Sequence, residues 1–155
     1  MRHTRAEVIK RTIHEFKLLD RMVSKLTNEE WERRLLRPET KDPWTVKDAL
    51  VHITYRKANM VKSIRKERRP DDERGIPPDD VNHVVYLRWH SQSPRKVLAW
   101  HRQVQKDILA ALKEAPSTWF TTSRAQGSDW PYHLDGHSSF HRVRDIERTL
   151  ERGKE

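Results

Sequence analysis

The sequence predicts an all-α protein, a single four-helix bundle domain that spans residues 1–155. Apolar residues recur at three- and four-residue steps through most of the chain, which is the period of an amphipathic helix. Helix-capping residues precede these runs, and only 4 glycines among 155 residues argue against a turn-rich all-β fold. Two domains of half this length would each bury too little surface to be well stabilised.

The first helix is predicted over residues 5–26. Thr4 and Glu7 have the spacing of a capping box, in which side chains satisfy the free N–H groups at a helix start. A short extra turn that carries Trp31 follows, and a loop with a proline at each end covers residues 37–43. The apolar residues expected on one face of the first helix are Val8, Ile9, Ile13, Phe16, Leu19, Val23 and Leu26.

The second helix is predicted over residues 45–68, again with capping-box spacing, here between Thr45 and Asp48. Three prolines and one glycine make residues 70–78 a connection rather than a helix. The four helices are thus separated by connections of different length, as in a bundle.

The third helix is predicted over residues 80–113, with Asp79 or Asp80 as its cap. Ser93-Pro94 predicts a kink or a restart inside it, because serine caps a helix and proline suits its first turn. The fourth helix is predicted over residues 135–151, after a loop that carries several aromatic residues. The expected core contains Ile13, Phe16, Leu19, Val23, Leu50, Ile53, Val97, Val104, Ile108, Phe140 and Ile146.

Composition excludes several classes of protein. The chain has no cysteine, which excludes disulfides, zinc–thiolate sites and cysteine nucleophiles and agrees with the cytoplasmic location that we expect. It has no apolar run of membrane-spanning length, and no apolar segment follows the charged N-terminus. We therefore expect neither a membrane segment nor a secretory signal.

The charge of +9 raises the question of nucleic-acid binding. No helix-turn-helix spacing, zinc finger or RNA-binding aromatic motif accompanies this charge, so nucleic acid ranks last among the partners considered. The densest basic stretch, residues 56–74, favours a solvated helix face. Within it, the residues expected to be exposed and not catalytic are Arg65, Lys66, Arg68 and Arg69.

Three of the nine histidines form a pattern that chance rarely gives. His133, His137 and His141 are spaced four apart, so any neighbouring two share one face of a helix and could reach one ion. A catalytic metal site keeps about three protein ligands and one open position. The best third candidate is His52, which lies on the apolar side of the second helix. Taken alone, a histidine there is more often a hydrogen-bonded core residue than a ligand.

The segment 44–52, WTVKDALVH, resembles the signature that opens the second helix in the DinB-like superfamily of four-helix bundles. This group includes YfiT-like and ClbS/DfsB-like proteins, and the tryptophan eight residues before the histidine is the specific part of the signature. The resemblance extends to a short helical turn ahead of this segment, and to Asp79, Asp80, Asn82, His137 and His141.

This resemblance implies a divalent transition metal ion held by His52, His137 and His141, with zinc, nickel or iron suited to imidazole ligands. It also implies a homodimer that acts on a small molecule. Some relatives use a low-molecular-weight thiol as a cofactor, and others hydrolyse a reactive ring without metal. In many relatives an aromatic residue and an acid follow the helix-2 histidine, whereas here Tyr55 and Arg56 follow it. His133 either joins the ion or lies in the loop before the fourth helix.

The leading hypothesis is a metal-dependent hydrolase or thiol-dependent transferase that acts on an electrophilic small molecule. Tyr55 and Arg56 lie on the same helical face as His52, so Tyr55 could donate a proton and Arg56 could clamp a carboxylate. The opposing interpretation packs Tyr55 in the core and leaves Arg56 in water. Asp48 either orients His52 or only serves the helix start.

The alternative function is a self-resistance protein of the ClbS/DfsB type, which sequesters a reactive small molecule without metal catalysis. In that case tryptophans would line a binding pocket, although plain core packing is the default role of buried tryptophans. The tryptophans considered for this role are Trp44, Trp89, Trp100 and Trp130.

Overall fold

The computed structural model describes residues 4–36, 41–121 and 141–153. Within these ranges the chain is helical and has no strand, so the predicted all-α class is confirmed. The α-helices are α1 Arg5–Val23, α2 Asn28–Trp31, α3 Val46–Arg65, α4 Pro78–Trp89, α5 Pro94–Glu114 and α6 Arg148–Arg152. A π-helical segment, Arg142–Glu147, leads directly into α6, and 3-10 turns cover Asp71–Glu73 and Ser117–Thr121.

The capping residues predicted at Thr4 and Thr45 start their helices as expected. The Thr4 hydroxyl accepts a hydrogen bond from the Glu7 amide at 3.1 Å. At the start of α3, the Asp48 carboxylate accepts from the Thr45 amide at 2.8 Å, and the Thr45 hydroxyl accepts from the Asp48 amide. The predicted short turn that carries Trp31 is α2, which has a capping box of its own. Each of these caps joins residues three apart in the sequence.

The predicted third helix, residues 80–113, is two helices in the structure. α4 ends at Trp89 and α5 begins at Pro94, so of the kink and the restart predicted at Ser93-Pro94 the restart is confirmed. The Ser93 hydroxyl accepts a hydrogen bond from the Lys96 amide at 3.2 Å, which caps α5. Pro94 has no N–H to donate back to α4, and the helical ladder is therefore interrupted there.

The start of α4 also differs from the prediction. Its cap residue is Pro77, which offers no side-chain hydrogen bond, and the helix begins at Pro78. Asp79 and Asp80 therefore lie inside the first turn and are not caps, although their charges suit the positive end of the helix dipole.

α3 is the central element of the described chain. It contacts α2, α4, α5 and the π-helical segment, whereas α1 packs mainly against α5. Every residue from Val46 to Tyr55 is buried, so this half of α3 has no solvent face. Its C-terminal cap is Lys66, a residue in the left-handed conformation with φ of 56° that stops the helix. His52 and Tyr55, the site residues in this half of α3, are consequently held by core packing.

The predicted core is confirmed at most of its described positions. The exceptions are Ile13 and Phe16, which are half-buried, and Phe140 lies outside the described residues. On α1 the deepest stripe passes through Thr12 and Glu15, one residue away from the predicted phase. The predicted core residues that are buried are Leu19, Val23, Leu50, Ile53, Val97, Val104, Ile108 and Ile146.

A buried polar cluster lies where α1, α3 and α5 meet. The Lys57 ammonium donates a hydrogen bond to the Gln105 side-chain oxygen at 3.1 Å, and both residues are buried. His101 stacks on Phe16 with ring centroids 4.8 Å apart, and its Nε2 lies 3.3 Å from an Asp20 carboxylate oxygen. The His101 side chain is 1% exposed and belongs to the core.

The basic stretch at the end of α3 is exposed as predicted, at Arg65, Lys66, Arg68 and Arg69. Replacing all four by glutamine is expected to change the free energy of unfolding by less than about 0.5 kcal/mol, because exposed charges contribute little. Circular dichroism and urea unfolding of the variant provide the check. A clear loss of stability would mean that these side chains make contacts that the structure does not show.

Within the described ranges, no helix combines the length and apolar character needed to cross a membrane.

Candidate metal centre and adjoining cavity

The structure brings together two of the three histidines proposed as metal ligands. His52 on α3 and His141 at the start of the π-helical segment meet edge to face, with ring centroids 4.9 Å apart and an angle of 81° between the planes. His52 is 5% exposed and His141 is 1% exposed. Two imidazoles from distant parts of the sequence therefore share one buried position.

The His141 ring is oriented by a carboxylate that the sequence reasoning missed. Its Nδ1 lies 2.6 Å from an Asp145 carboxylate oxygen, one turn along the chain. An ionised carboxylate can only accept a hydrogen bond, so this contact favours the neutral tautomer with the proton on Nδ1 and the lone pair on Nε2. Metal-binding histidines commonly have such a partner. The four-residue spacing of His141 and Asp145 was the sequence signal that could have revealed it.

The third proposed ligand, His137, lies outside the described residues, as does His133. Among the residues that the structure describes, no three His, Asp or Glu side chains form a group able to hold a metal ion. The described part of the proposed site is thus the His52–His141 pair with Asp145.

Trp44, the tryptophan of the segment 44–52, packs against the histidine that ends the segment. The Trp44 and His52 rings have centroids 5.0 Å apart, and Trp44 is 3% exposed.

The Asp48 carboxylate accepts a hydrogen bond from the Thr45 amide, and His90 Nδ1 lies 2.9 Å from the same carboxylate. Asp48 therefore serves the start of α3 and ties the end of α4 to it.

A cavity of about 420 Å³ opens beside His52, between α3 and the first turn of α4. Arg56 is exposed to solvent, as one of the two interpretations held. It also lines this cavity. The volume lies in the range of small-molecule sites. The lining residues are His52, Tyr55, Arg56, Asn59, Arg69, Ile76, Pro78, Asp79, Val81 and Asn82.

Tyr55 is buried and its hydroxyl is engaged. It donates a hydrogen bond of 2.5 Å to the Glu73 carboxylate, which also accepts from Arg88 at 2.9 Å. Burial, reinforced by the bond to Glu73, raises the pKa of Tyr55 above its ordinary value and keeps the phenol protonated. The proton of Tyr55 points at Glu73, so its oxygen offers other groups a lone pair.

Glu73 is the second residue that the sequence reasoning missed. It lies in the connection between α3 and α4 and is 1% exposed. Its neighbours Asp71 and Asp72 are exposed, so the acidic run gives no sequence signal that one member turns inward. Glu73 fastens the connection to α3 through Tyr55 and to α4 through Arg88. Through the first of these bonds it holds Tyr55, which lines the 420 Å³ cavity.

A second cavity, of about 290 Å³, lies on the other side of Tyr55 and is bounded by α3, α4 and α5. Trp89 and Trp100 line it and stack on each other, with ring centroids 4.1 Å apart and planes inclined by 10°. Of the four tryptophans considered for a pocket, Trp89 and Trp100 are the two that line this cavity. Trp44 packs at the His52 side, and Trp130 lies outside the described residues.

Comparison with known proteins adds no relative to this picture. No family model, curated protein or solved structure matches the chain. Function is therefore argued from the His52–His141 contact and the cavity beside it.

Proposed function

We propose that the chain is a metal-dependent enzyme with the four-helix bundle of the DinB-like superfamily, in which His52, His137 and His141 hold a divalent transition metal ion. The contact between the buried rings of His52 and His141 carries the proposal. His137 lies one turn before His141 in the sequence, and this spacing is the reason for including it.

The residues present fit such an ion by their chemistry. Neutral imidazole suits zinc, nickel and iron. The Asp145 carboxylate holds the proton of His141 on Nδ1, which leaves Nε2 as the donor atom. His52 is held against Trp44 within the packed half of α3. Both imidazole rings are therefore held in place by neighbouring side chains.

The proposed reaction is attack by water or by a low-molecular-weight thiol on an electrophilic small molecule in the 420 Å³ cavity. When bound, the ion would lower the pKa of the nucleophile and polarise a substrate oxygen. The absence of cysteine fits a nucleophile supplied from outside the chain. Arg56 would orient an anionic group of the substrate. The Tyr55 hydroxyl donates to Glu73, so it would give a proton to the substrate only after leaving that hydrogen bond.

The proposal extends to a homodimer in the cytoplasm that acts on a small molecule and not on nucleic acid. These features follow from the resemblance of the segment 44–52 and from the composition. Size-exclusion chromatography with light scattering measures the oligomeric state directly.

Metal analysis of protein purified without an affinity tag tests the proposal. After equilibration with zinc, nickel or iron and removal of free ion, we expect about one ion per chain. The double variant His137→Ala, His141→Ala should lose it, and Asp145→Asn should weaken binding about 10- to 100-fold. The exposed His14 provides the matched control, since His14→Ala should retain the ion. Equal metal content in the wild type and the double variant would contradict the proposal.

The alternative, sequestration of a reactive molecule of the ClbS/DfsB type, has one observation in its favour. The stacked Trp89–Trp100 pair lines the 290 Å³ cavity and could receive a planar ligand. Sequestration would protect against such a molecule in proportion to protein concentration and without turnover. A stoichiometric ion together with multiple turnovers would favour the enzyme instead.

A further inference from the structure

We propose that the 420 Å³ cavity selects small molecules that bear a carboxylate, and that Arg56 and Arg69 bind this group. The proposal rests on the proposed function only in treating this cavity as the substrate site. The two arginines belong to different parts of the chain, one on α3 and one in the connection after it, and they line the same space. Arg69 is near enough to Tyr55 to influence its pKa, which places this guanidinium at the Tyr55 wall of the cavity.

The three acids at positions 71–73, which follow Arg69 in the chain, are paired with other cations. Asp71 forms an ion pair with Arg74. Asp72 and Glu73 both pair with Arg88, at 2.9 Å each. These three carboxylates are thus engaged by Arg74 and Arg88 and not by Arg56 or Arg69.

Arg56 and Arg69 themselves have no ion pair with an acid in the described part of the chain. Each guanidinium presents planar N–H donors that match the two oxygens of a carboxylate. Together they give the cavity two positive charges that no ion pair among the described residues neutralises.

Asp79 is the acidic side chain that lines the same cavity. It lies in the first turn of α4, where the unsatisfied N–H groups of the helix carry a positive partial charge. Part of its negative charge is offset by that end of the helix. The lining therefore keeps a positive balance, and Asn59 adds a neutral hydrogen-bonding group.

The carboxylate class follows from the shape of the donors as well as from their charge. A cavity of about 420 Å³ has room for a small organic acid and for the electrophilic carbon that the proposed reaction needs. Inorganic phosphate would meet the same charges but would leave most of this volume unfilled. The comparison of a dicarboxylate, its neutral analogue and phosphate therefore separates recognition of the organic acid from general attraction of anions.

Isothermal titration calorimetry at low ionic strength, with succinate, succinamide and inorganic phosphate as probes, tests the proposal. We expect succinate to bind wild-type protein at least about tenfold more tightly than succinamide or phosphate. Arg56→Gln and Arg69→Gln should each weaken succinate binding about tenfold, and the double variant should weaken it more. The matched control is Lys66→Gln, Arg68→Gln, which removes the same charge from neighbouring residues outside the cavity and should bind as the wild type does.

Several outcomes would overturn the proposal. These are no binding of succinate to the wild type, equal binding of succinamide or phosphate, and unchanged binding in the double arginine variant. An equal loss in the control variant would do the same, because it would show a diffuse surface effect. Circular dichroism checks that each variant is folded. Metal analysis of the same samples distinguishes a failure of this proposal from a failure of the proposed function. Protein without metal that binds succinate would contradict only the proposed function, and metal-bound protein that fails to bind it would contradict only this inference.

Discussion

Replacing Lys57 by methionine and Gln105 by leucine is expected to raise the free energy of unfolding at pH 7 by about 2–3 kcal/mol. Lys57 is 3% exposed, and burial lowers its pKa from 10.5 to about 8, with partial opposition from Glu15. Keeping this ammonium charged inside the protein is therefore unfavourable. Its hydrogen bond to Gln105 recovers only part of the cost of burying the charge. The double change removes both members of this hydrogen bond, so neither is left without the other.

The pH dependence gives this prediction its sharpest test. Between about pH 8 and pH 10.5, folded Lys57 loses its proton while unfolded Lys57 keeps it, so the unfolded state binds more protons. The contribution of Lys57 to wild-type stability therefore rises with pH in this window, and the advantage of the variant should shrink. Urea unfolding at pH 7 and pH 10 measures both effects. Lys106 is exposed on the same helix as Gln105, and Lys106→Met provides the control. A gain that is independent of pH would refute the explanation.

Acidification from pH 6.5 to pH 4 is expected to cost the wild type about 3 kcal/mol through His101 alone. Burial, and next the positive charge of Lys57, lower the pKa of His101 from 6.5 to about 4, although Asp20 acts in the opposite direction. Within this window the unfolded state binds the additional proton, so stability falls as pH falls. Above pH 6.5 the imidazole is neutral in both states and this loss disappears.

The variant His101→Gln isolates this contribution, because glutamine does not titrate. Its unfolding free energy should fall by about 3 kcal/mol less than that of the wild type over the same range. The exposed His14 again provides the control, and His14→Gln should follow the wild type. Because Lys57 contributes to the low pKa of His101, the Lys57 variant should also show a weaker acid effect. Parallel wild-type and His101→Gln curves would exclude this role.

Local chemistry explains why much of the helical pattern could be predicted. The capping boxes at Thr27 and Thr45 need only residues three apart, and both form as isolated units of the sequence would. The same local reasoning recognised the signal at Ser93-Pro94 but left open whether it bends one helix or starts another. A serine cap and a proline without an N–H act together there, and they separate α4 from α5 instead of bending one helix.

Features that depend on facing elements could not be predicted in the same way. The burial of His101 requires Phe16 and Asp20 from α1, which no spacing within α5 reveals. The inward turn of Glu73 likewise depends on Tyr55 and Arg88 from two other helices. In the candidate site, the helical face shared by His52, Tyr55 and Arg56 was predictable from the period of α3. The pairing of that face with His141 was expected from a resemblance, and its geometry came from the structure.

The complete burial of α3 from Val46 to Tyr55 narrows how this protein can vary. A helix with a solvent face can accept neutral substitutions along that face and accumulate them without loss of stability. This half of α3 has no such face, and it carries His52 among residues that also form the core. Here a change that alters ligand preference also alters packing. Diversification of specificity would therefore concentrate at positions such as Arg56 and Arg69, which line the cavity and are exposed.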